Sequence, residues 1–255
     1  MKSKSFDYKK LLFRSIGLIL FLVLWEIAPR LGWVKRLYLQ PFSEDFMALV
    51  HLILNGKLFP HLFMSLERIA LGLLLATIIG VGLGLLVGYF QRINQALDLL
   101  FQIFRQVSAF ALFPVFILFF GFSEVSKFGI MLWASLWPVL LNTSSGVHDV
   151  DAVLIRSVKS MGGSKLYIFF RVILPATLPQ IFTGIRLSGS YCVMAVVVAE
   201  MIGAKRGLGY LVFNSRESFL YPDMYAGIIT LAIVGVTLNF ILVAIEKRFT
   251  SWRVA

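Results

Sequence analysis

Six apolar runs divide the chain, at Ser15–Ala28, Ser65–Tyr89, Leu97–Phe120, Val125–Ser145, Thr177–Ile202 and Met224–Ile245. About 20 apolar residues in a helix cross the hydrocarbon layer of a membrane, so a chain built this way reads as a series of spans. Composition makes the same demand: 59% of the 255 residues are hydrophobic and 15% charged, against about 45–50% and about 25% in soluble domains. A soluble globule of this size has too little interior to hide that excess. The expected fold is therefore all-α, a polytopic membrane protein with six transmembrane helices. The 20 Gly, 8 Pro and single Cys exclude collagen-like, disordered and disulfide-stapled classes. Cys192 lies inside an apolar run with no second cysteine to pair with.

The net charge of +11 falls mostly between the apolar runs, with no basic stripe interleaved with aromatics. It reads as a topology signal and as contact with anionic membrane lipid, not as a nucleic-acid surface. With the N-terminus inside, 13 Lys and Arg outside the spans, among them Lys2, Lys4 and Arg253, fall on the cytoplasmic side and 8 on the other; Arg68, Arg105 and Arg186 lie within helices. The positive-inside rule predicts both termini in the cytoplasm.

The first run follows Lys9, Lys10 and Arg14, a pattern shared with signal peptides. Trp25, Glu26, Pro29 and Arg30 stand where a small-residue cleavage site would lie, which favours a retained helix. Pro41-Phe42-Ser43-Glu44-Asp45 then reads as a helix start, with Ser43 as cap. Phe46, Met47, Leu49, Val50, Ile53 and Leu54 recur at helical spacing up to Asn55-Gly56. Three turns are too few to span, so this helix is expected at the interface. The division expected is a cytoplasmic start, first span and interfacial helix over residues 1–60, a transmembrane core over 61–246 and a cytoplasmic tail over 247–255.

Within the core, Ala76, Gly80, Gly84 and Gly88 recur every fourth residue. Such a stripe lets another helix backbone approach closely where water cannot drive association. Pro114 and Pro138 fall inside the third and fourth runs and are expected to kink them. Between the fourth and fifth runs lies a connection over 146–175, long for a bundle and not Gly/Ser-rich. Val150-Asp151 can start a short helix through Val153, Leu154, Val158 and Met161, stopped by Gly162-Gly163. Ser164 can cap a second, with Leu166, Phe169, Phe170 and Val172 apolar, before Leu174-Pro175 ends it. Two amphipathic helices about a glycine turn suit a docking knob, or equally a helix pair floating on lipid.

Gly162, nine further residues and Val172-Ile173-Leu174-Pro175 resemble the EAA motif of ABC-importer permeases, E-A-A-x3-G-x9-I-x-L-P. Ser65-Leu66-Glu67-Arg68-Ile69-Ala70-Leu71-Gly72, Pro114-Val115-Phe116-Ile117-Leu118-Phe119-Phe120-Gly121, Ala199-Glu200-Met201-Ile202 and Gly207-Leu208-Gly209-Tyr210-Leu211 are similar to the nitrate/sulfonate/taurine branch of that family. The resemblance implies a type I importer permease-like fold. It implies that Met161, Gly162, Gly163, Ser164, Lys165, Leu174 and Pro175 belong to coupling helices seated in a groove of an ATPase. It further implies a homodimer, two ATP-binding subunits that hold ATP and Mg, an extracytoplasmic solute-binding protein and a small, anionic solute. Arg156-Ser157-Val158 stands where the family carries E-A-A, and Arg105-Gln106-Val107-Ser108-Ala109 where relatives often carry prolines.

An ionisable group at membrane depth costs several kcal/mol unless it faces protein or water. Arg105 in the third run suits attraction of an anion, since guanidinium matches oxyanion geometry, or a structural ion pair. Glu200, near the end of the fifth run, can latch the pore or cap a loop. Arg186 reads as an interface anchor. The expected substrate pathway includes Arg105, Ser108, Ser188 and Glu200, with Gln102, Gln106, Ser190 and Tyr191 nearby. His51, His61 and His148 lie on separate segments, which argues against a metal site. No phosphate loop, Ser/His/Asp set or carboxylate pair has catalytic context, so no cofactor is expected in this chain and it does not read as an enzyme. The rival reading is an ion-coupled secondary transporter with Arg105 and Glu200 in a relay.

Overall fold

The computed structural model describes residues 8–249, with side chains described from Ile16 onward. Lys2, Lys4, Arg253 and most of the 247–255 tail lie outside the described residues. Every regular element among the described residues is helical: α1 (Tyr8–Arg30), α2 (Phe42–Leu54), α3 (Leu58–Tyr89), α4 (Gln91–Gln106), α5 (Ala109–Phe120), α6 (Glu124–His148), α7 (Ala152–Ser160), α8 (Lys165–Ile168), a π-turn (Phe169–Ile173), α9 (Leu174–Gly203), α10 (Leu208–Glu217) and α11 (Tyr221–Phe249). α3, α6, the continuous stretch Lys165–Gly203 and α11 are long and apolar enough to cross a membrane, and α4 with α5 makes a fifth span if the bent pair counts as one. The first expected span, Ser15–Ala28, falls in α1, which does not join that set among the described residues. Internal contacts divide the chain into two units, residues 1–59 with 211–230, and residues 60–210 with 231–255.

In the first unit, α2 begins two residues earlier than the sequence suggests. Pro41, at φ −57°, takes the N-cap position and Ser43 makes no capping bond. Glu26 of α1 supplies the cap instead: Ser43 N–H donates to its Oε2 at 2.9 Å and the Ser43 hydroxyl to its Oε1 at 3.0 Å. A carboxylate accepts more strongly than a hydroxyl and suits the positive end of a helix, so the serine turns toward it. Trp25 donates its indole N–H to Gln40 O at 3.2 Å and meets Phe42 and Tyr225 edge-on. Asp45, in the first turn of α2, is fully buried with neither carboxylate oxygen hydrogen-bonded. Burial, with Glu44 adding repulsion, pushes its pKa up to about 7.

The second unit is organised around α6. Cβ atoms added at Gly80, Gly84 and Gly88 would lie 2.8, 2.6 and 2.7 Å from Cβ of Val139, Thr143 and Val147. The stripe on α3 therefore runs along α6 in the same direction, and Ala76 in the same row is fully buried. α9 packs on α6 in the opposite direction, with Gly184 against Pro138 O and Gly146 against Gln180. α11 adds Leu242 and Leu238 beside Gly189, the Phe182–Phe249 stack, and an Arg186–Glu246 ion pair at 3.2 Å.

Two departures from the sequence reading concern breaks. The third span is not one helix: α4 stops at Gln106, α5 restarts at Ala109, and the two meet at 93°. The break falls at Val107-Ser108, both extended, while α5 and α6 run through Pro114 and Pro138. Pro175 likewise does not end the second loop helix, which continues into α9. Proline clashes with the carbonyl four residues back. Here the π-turn absorbs that conflict, with Leu174 N–H donating to Phe169 O five residues back.

Candidate functional site

Since α3 and α6 run together and α9 returns, the unit has two ends. One holds the start of α6 and the end of α9, and the other holds the α7–α8 turn.

At the first end, Arg68 donates from Nη1 to Glu200 Oε1 at 2.9 Å and to Arg206 O at 2.8 Å. Its Nε and Nη2 grip Glu124 at 2.9 and 2.8 Å, and Lys127 reaches the same carboxylate at 2.6 Å. Glu200 also accepts from Ser65 Oγ at 2.8 Å and from Gly209 N–H at 2.9 Å. Leu208 N–H donates to Ser65 Oγ and Gly207 N–H to His61 Nδ1, so the loop after α9 is sewn to α3. Gly207 sits at φ +136°, and a Cβ there would overlap the Glu200 carboxylate. Glu200 thus caps a loop and is enclosed by Arg68, not free to join a relay with Arg105. Sequence reasoning placed Arg68 inside a helix and gave it no role.

Midway along α6, a cavity of about 610 Å³ opens beside the α4–α5 break, lined by Arg105, Ser108, Trp133, Trp137, Asn142 and Tyr191 among others. Trp133 donates its indole N–H to Val107 O at 3.2 Å, fixing the break. Phe104 packs on both Trp133 and Trp137. Of the four residues expected on a pathway, Arg105 and Ser108 line this cavity. Ser188 does not: it is fully buried and donates to Ser135 O across the α6–α9 contact. Glu200 lies in the ion cluster instead. The aromatic lining escaped the sequence reading because Trp133 and Trp137 look like ordinary core positions on α6.

At the other end, Asp151 caps α7 by accepting from Val153 N–H at 2.7 Å, and Ser164 caps α8 by accepting from Tyr167 N–H at 3.2 Å. Between them Gly162, at φ +84°, allows two closing bonds, Gly163 N–H to Val158 O and Gly162 N–H to Lys159 O, both 3.0 Å. Buried Val147, Ile168 and Ile173, flanked by Leu85, Tyr89, Ile155 and Val158, anchor this turn to the ends of α3 and α6. Its outer face mixes apolar and basic side chains: Met161 is 78% exposed and Leu166 71%, and Val153, Tyr167 and Phe170 are exposed along with Arg156, Lys159 and Lys165. Gly162, Gly163, Ser164 and Lys165 form the tip, while Leu174 and Pro175 lie where the turn passes into α9. No cluster of His, Cys, Asp and Glu suited to a metal ion occurs among the described residues.

Residues 58–252 match the family described as binding-protein-dependent transport system inner membrane component. SsuC of Bacillus subtilis, named as an aliphatic sulfonates transport permease protein, is 36% identical over 93% of this chain and 87% of its own length. The taurine transport system permease protein TauC of Escherichia coli is 32% identical over 93% and 89%. An inward-facing structure of the MetNI methionine ABC transporter shares the fold at a TM-score of 0.65 and 16% identity, covering 76% of this chain and 96% of its own. The long match and the two relatives, together with the apolar spans and glycine-turned loop, make this chain a member of the binding-protein-dependent inner-membrane permeases of ABC importers.

Proposed function

We propose that this permease forms one half of the membrane pathway of an importer for a small anion of the sulfonate, taurine or nitrate kind. A second copy supplies the other half, two ATP-binding subunits carry ATP and Mg, and an extracytoplasmic binding protein delivers the solute. Both termini face the cytoplasm, and so does the α7–α8 turn. The observation that carries this reading is the turn itself, an exposed tip flanked by bare Met161 and Leu166 on a buried anchor. A patch of that kind marks a contact with protein or membrane; in this reading the contact is the ATPase, and the rigid base suits transmission of movement from it to α3, α6 and α9. The tip must be bound differently in the two nucleotide states of the ATPase, since a partner with equal affinity for both shifts nothing. The names of the sulfonate and taurine relatives support the solute class, as does a cavity whose only charged lining residue among those described is Arg105.

Gly162→Trp tests the docking role. A Cβ at this position meets nothing within 4 Å, so the indole projects from the tip. Because φ +84° strains any side chain there, Gly162→Asn, which tolerates that backbone, is the control for turn strain. Gly162→Trp is expected to insert normally while ATP hydrolysis by the reconstituted complex becomes uncoupled from uptake. Normal uptake by that variant would overturn the docking role.

A further inference from the structure

The α7–α8 turn carries a charge pattern that a docking role alone does not require. Arg156 and Lys159 stand one turn apart on α7 and are exposed, while Ile155 and Val158 of the same helix pack against the anchor. Lys165 opens α8 beyond the tip and is exposed as well. None of the three side chains forms an ion pair or a hydrogen bond among the described residues. The acids of the segment stand apart from them. Asp149 and Asp151 precede α7, where they line a separate cleft of about 300 Å³ with Leu154 and Pro179, and Asp151 spends its carboxylate capping the helix. α7 itself holds no acid, so nothing on the helix offsets the repulsion between two like charges one turn apart.

A topology signal counts cations on the cytoplasmic side and is indifferent to where in a loop they fall. Here the position is particular. Arg156 stands at the first residue of the stretch where the family motif has E-A-A, so a base replaces an acid. The helix that presents it keeps its form, capped by Asp151 and closed at Gly162. Along the turn, exposed Met161 and Leu166 lie among the cations. An apolar centre with a charged rim is the anatomy of a protein contact. Anionic headgroups offer the same charge as an acidic protein, but a fluid surface places no demand on one position of a nine-residue helix. We infer that the protein surface receiving this turn is acidic: it presents carboxylates to Arg156 and Lys159 around an apolar seat for Met161 and Leu166. This rests on the importer reading above and adds to it the chemistry of the ATP-binding subunit and the residue that selects it. A subunit whose surface complements a glutamate at this position meets Arg156 with like charge and is rejected.

The test uses the full chain in phosphatidylcholine nanodiscs and the ATP-binding subunit of its reconstituted complex. Arg156→Glu should weaken binding of that subunit at least about 10-fold, whereas Arg156→Lys, which keeps the charge, should stay within about 3-fold of the parent chain. Raising KCl from about 50 to about 500 mM should weaken binding of the parent chain and affect Arg156→Glu less, because less attraction is left to screen. A water-soluble carbodiimide joins an amine to a carboxylate only where the two are in contact. It should link Lys159, and the amine introduced by Arg156→Lys, to Asp or Glu side chains of the subunit. Replacing the linked carboxylate by lysine should restore binding to Arg156→Glu. Unchanged affinity in Arg156→Glu, or carbodiimide links to no carboxylate of the subunit, would each overturn the acidic surface. A loss that appears only when phosphatidylglycerol replaces phosphatidylcholine would overturn it too, by assigning the cations to lipid. The two readings fail differently. A subunit that binds the parent chain and Arg156→Glu equally well sinks the charge inference alone, whereas uptake by the chain with no ATP-binding subunit engaged sinks the importer reading beneath it.

Discussion

Arg68 and Glu200, 132 residues apart in sequence, form a 2.9 Å ion pair in which the side chains are 3% and 0% exposed. Neither is left with a spare charge, because Glu124 also grips the guanidinium and Ser65 and Gly209 also satisfy the carboxylate. Breaking a buried pair from one side strands the other charge, at a cost of about 3–5 kcal/mol. The two sides are not equivalent here. Arg68→Met leaves the enclosed Glu200 carboxylate without a cation, and about 3–5 kcal/mol of stability should be lost. Glu200→Gln leaves Arg68 still bound to Glu124, and should cost about 1–3 kcal/mol, mainly through the amide facing the Gly209 N–H. Thermal unfolding of the purified variants in detergent measures the order; a larger loss for Glu200→Gln would contradict this account of the cluster.

The glycine stripe makes a paired prediction on one helix. A Cβ at Gly84 would meet Thr143 Cβ at 2.6 Å and Leu140 O at 2.7 Å, whereas one at Gly82 meets nothing within 4 Å. Gly84→Val forces α3 and α6 apart and should destabilise by about 1–3 kcal/mol, the usual range for overpacking. Gly82→Ala removes only backbone freedom and should leave stability unchanged or raise it by up to about 1 kcal/mol. Equal melting temperatures for the two variants would mean that the close approach contributes nothing.

Local features were legible in the sequence and long-range ones were not. The turn at Gly162, the caps at Asp151 and Ser164 and the small-residue row on α3 depend on residues a few positions apart, so their spacing carries the signal. The break at Val107-Ser108 has no glycine or proline to mark it; it is held by Trp133 reaching back 26 positions. Pro175, the strongest local stop signal in the loop, is overridden because a π-turn rearranges the carbonyls behind it. The same holds for Glu200, whose burial is readable from its apolar run while its partner on α3 is not. A single charge within a span says that something must neutralise it, but not which helix supplies the answer.

Asp45 predicts a pH dependence in the first unit. Its pKa rises from an ordinary 3.8 to about 7 on folding, chiefly through burial. Between these values the unfolded chain has released the proton and the folded chain still holds it, so stability falls as pH rises through this window. Below about pH 4 both states are protonated and the penalty is absent. The full displacement corresponds to at most about 4 kcal/mol. Asp45→Asn should flatten this slope and raise the unfolding temperature at pH 8 more than at pH 5. Parallel pH profiles for the two proteins would show that the carboxylate ionises without penalty.

The anchor of the α7–α8 turn can be separated from its tip. Ile168, 7% exposed, packs with Val147 and Ile173 beneath the turn and contributes nothing to the exposed face. Ile168→Ala deletes buried methyl groups, which in a well-packed core costs about 2–5 kcal/mol. That loss falls on the joint between the turn and the ends of α3 and α6, so under the proposed docking role the tip should still fit an ATP-binding subunit without carrying α3 and α6 with it. Stimulated ATP hydrolysis should persist while uptake falls by at least about 10-fold, consistent with about 1.4 kcal/mol lost from the coupling. Met161→Glu places a charge at the exposed tip instead, and should abolish binding of the ATPase and stimulated hydrolysis together with uptake. Hydrolysis and uptake measured side by side in reconstituted vesicles distinguish the two. If both variants lost hydrolysis equally, the turn would be acting only as an adhesive surface, and movement would have to reach the spans by another route.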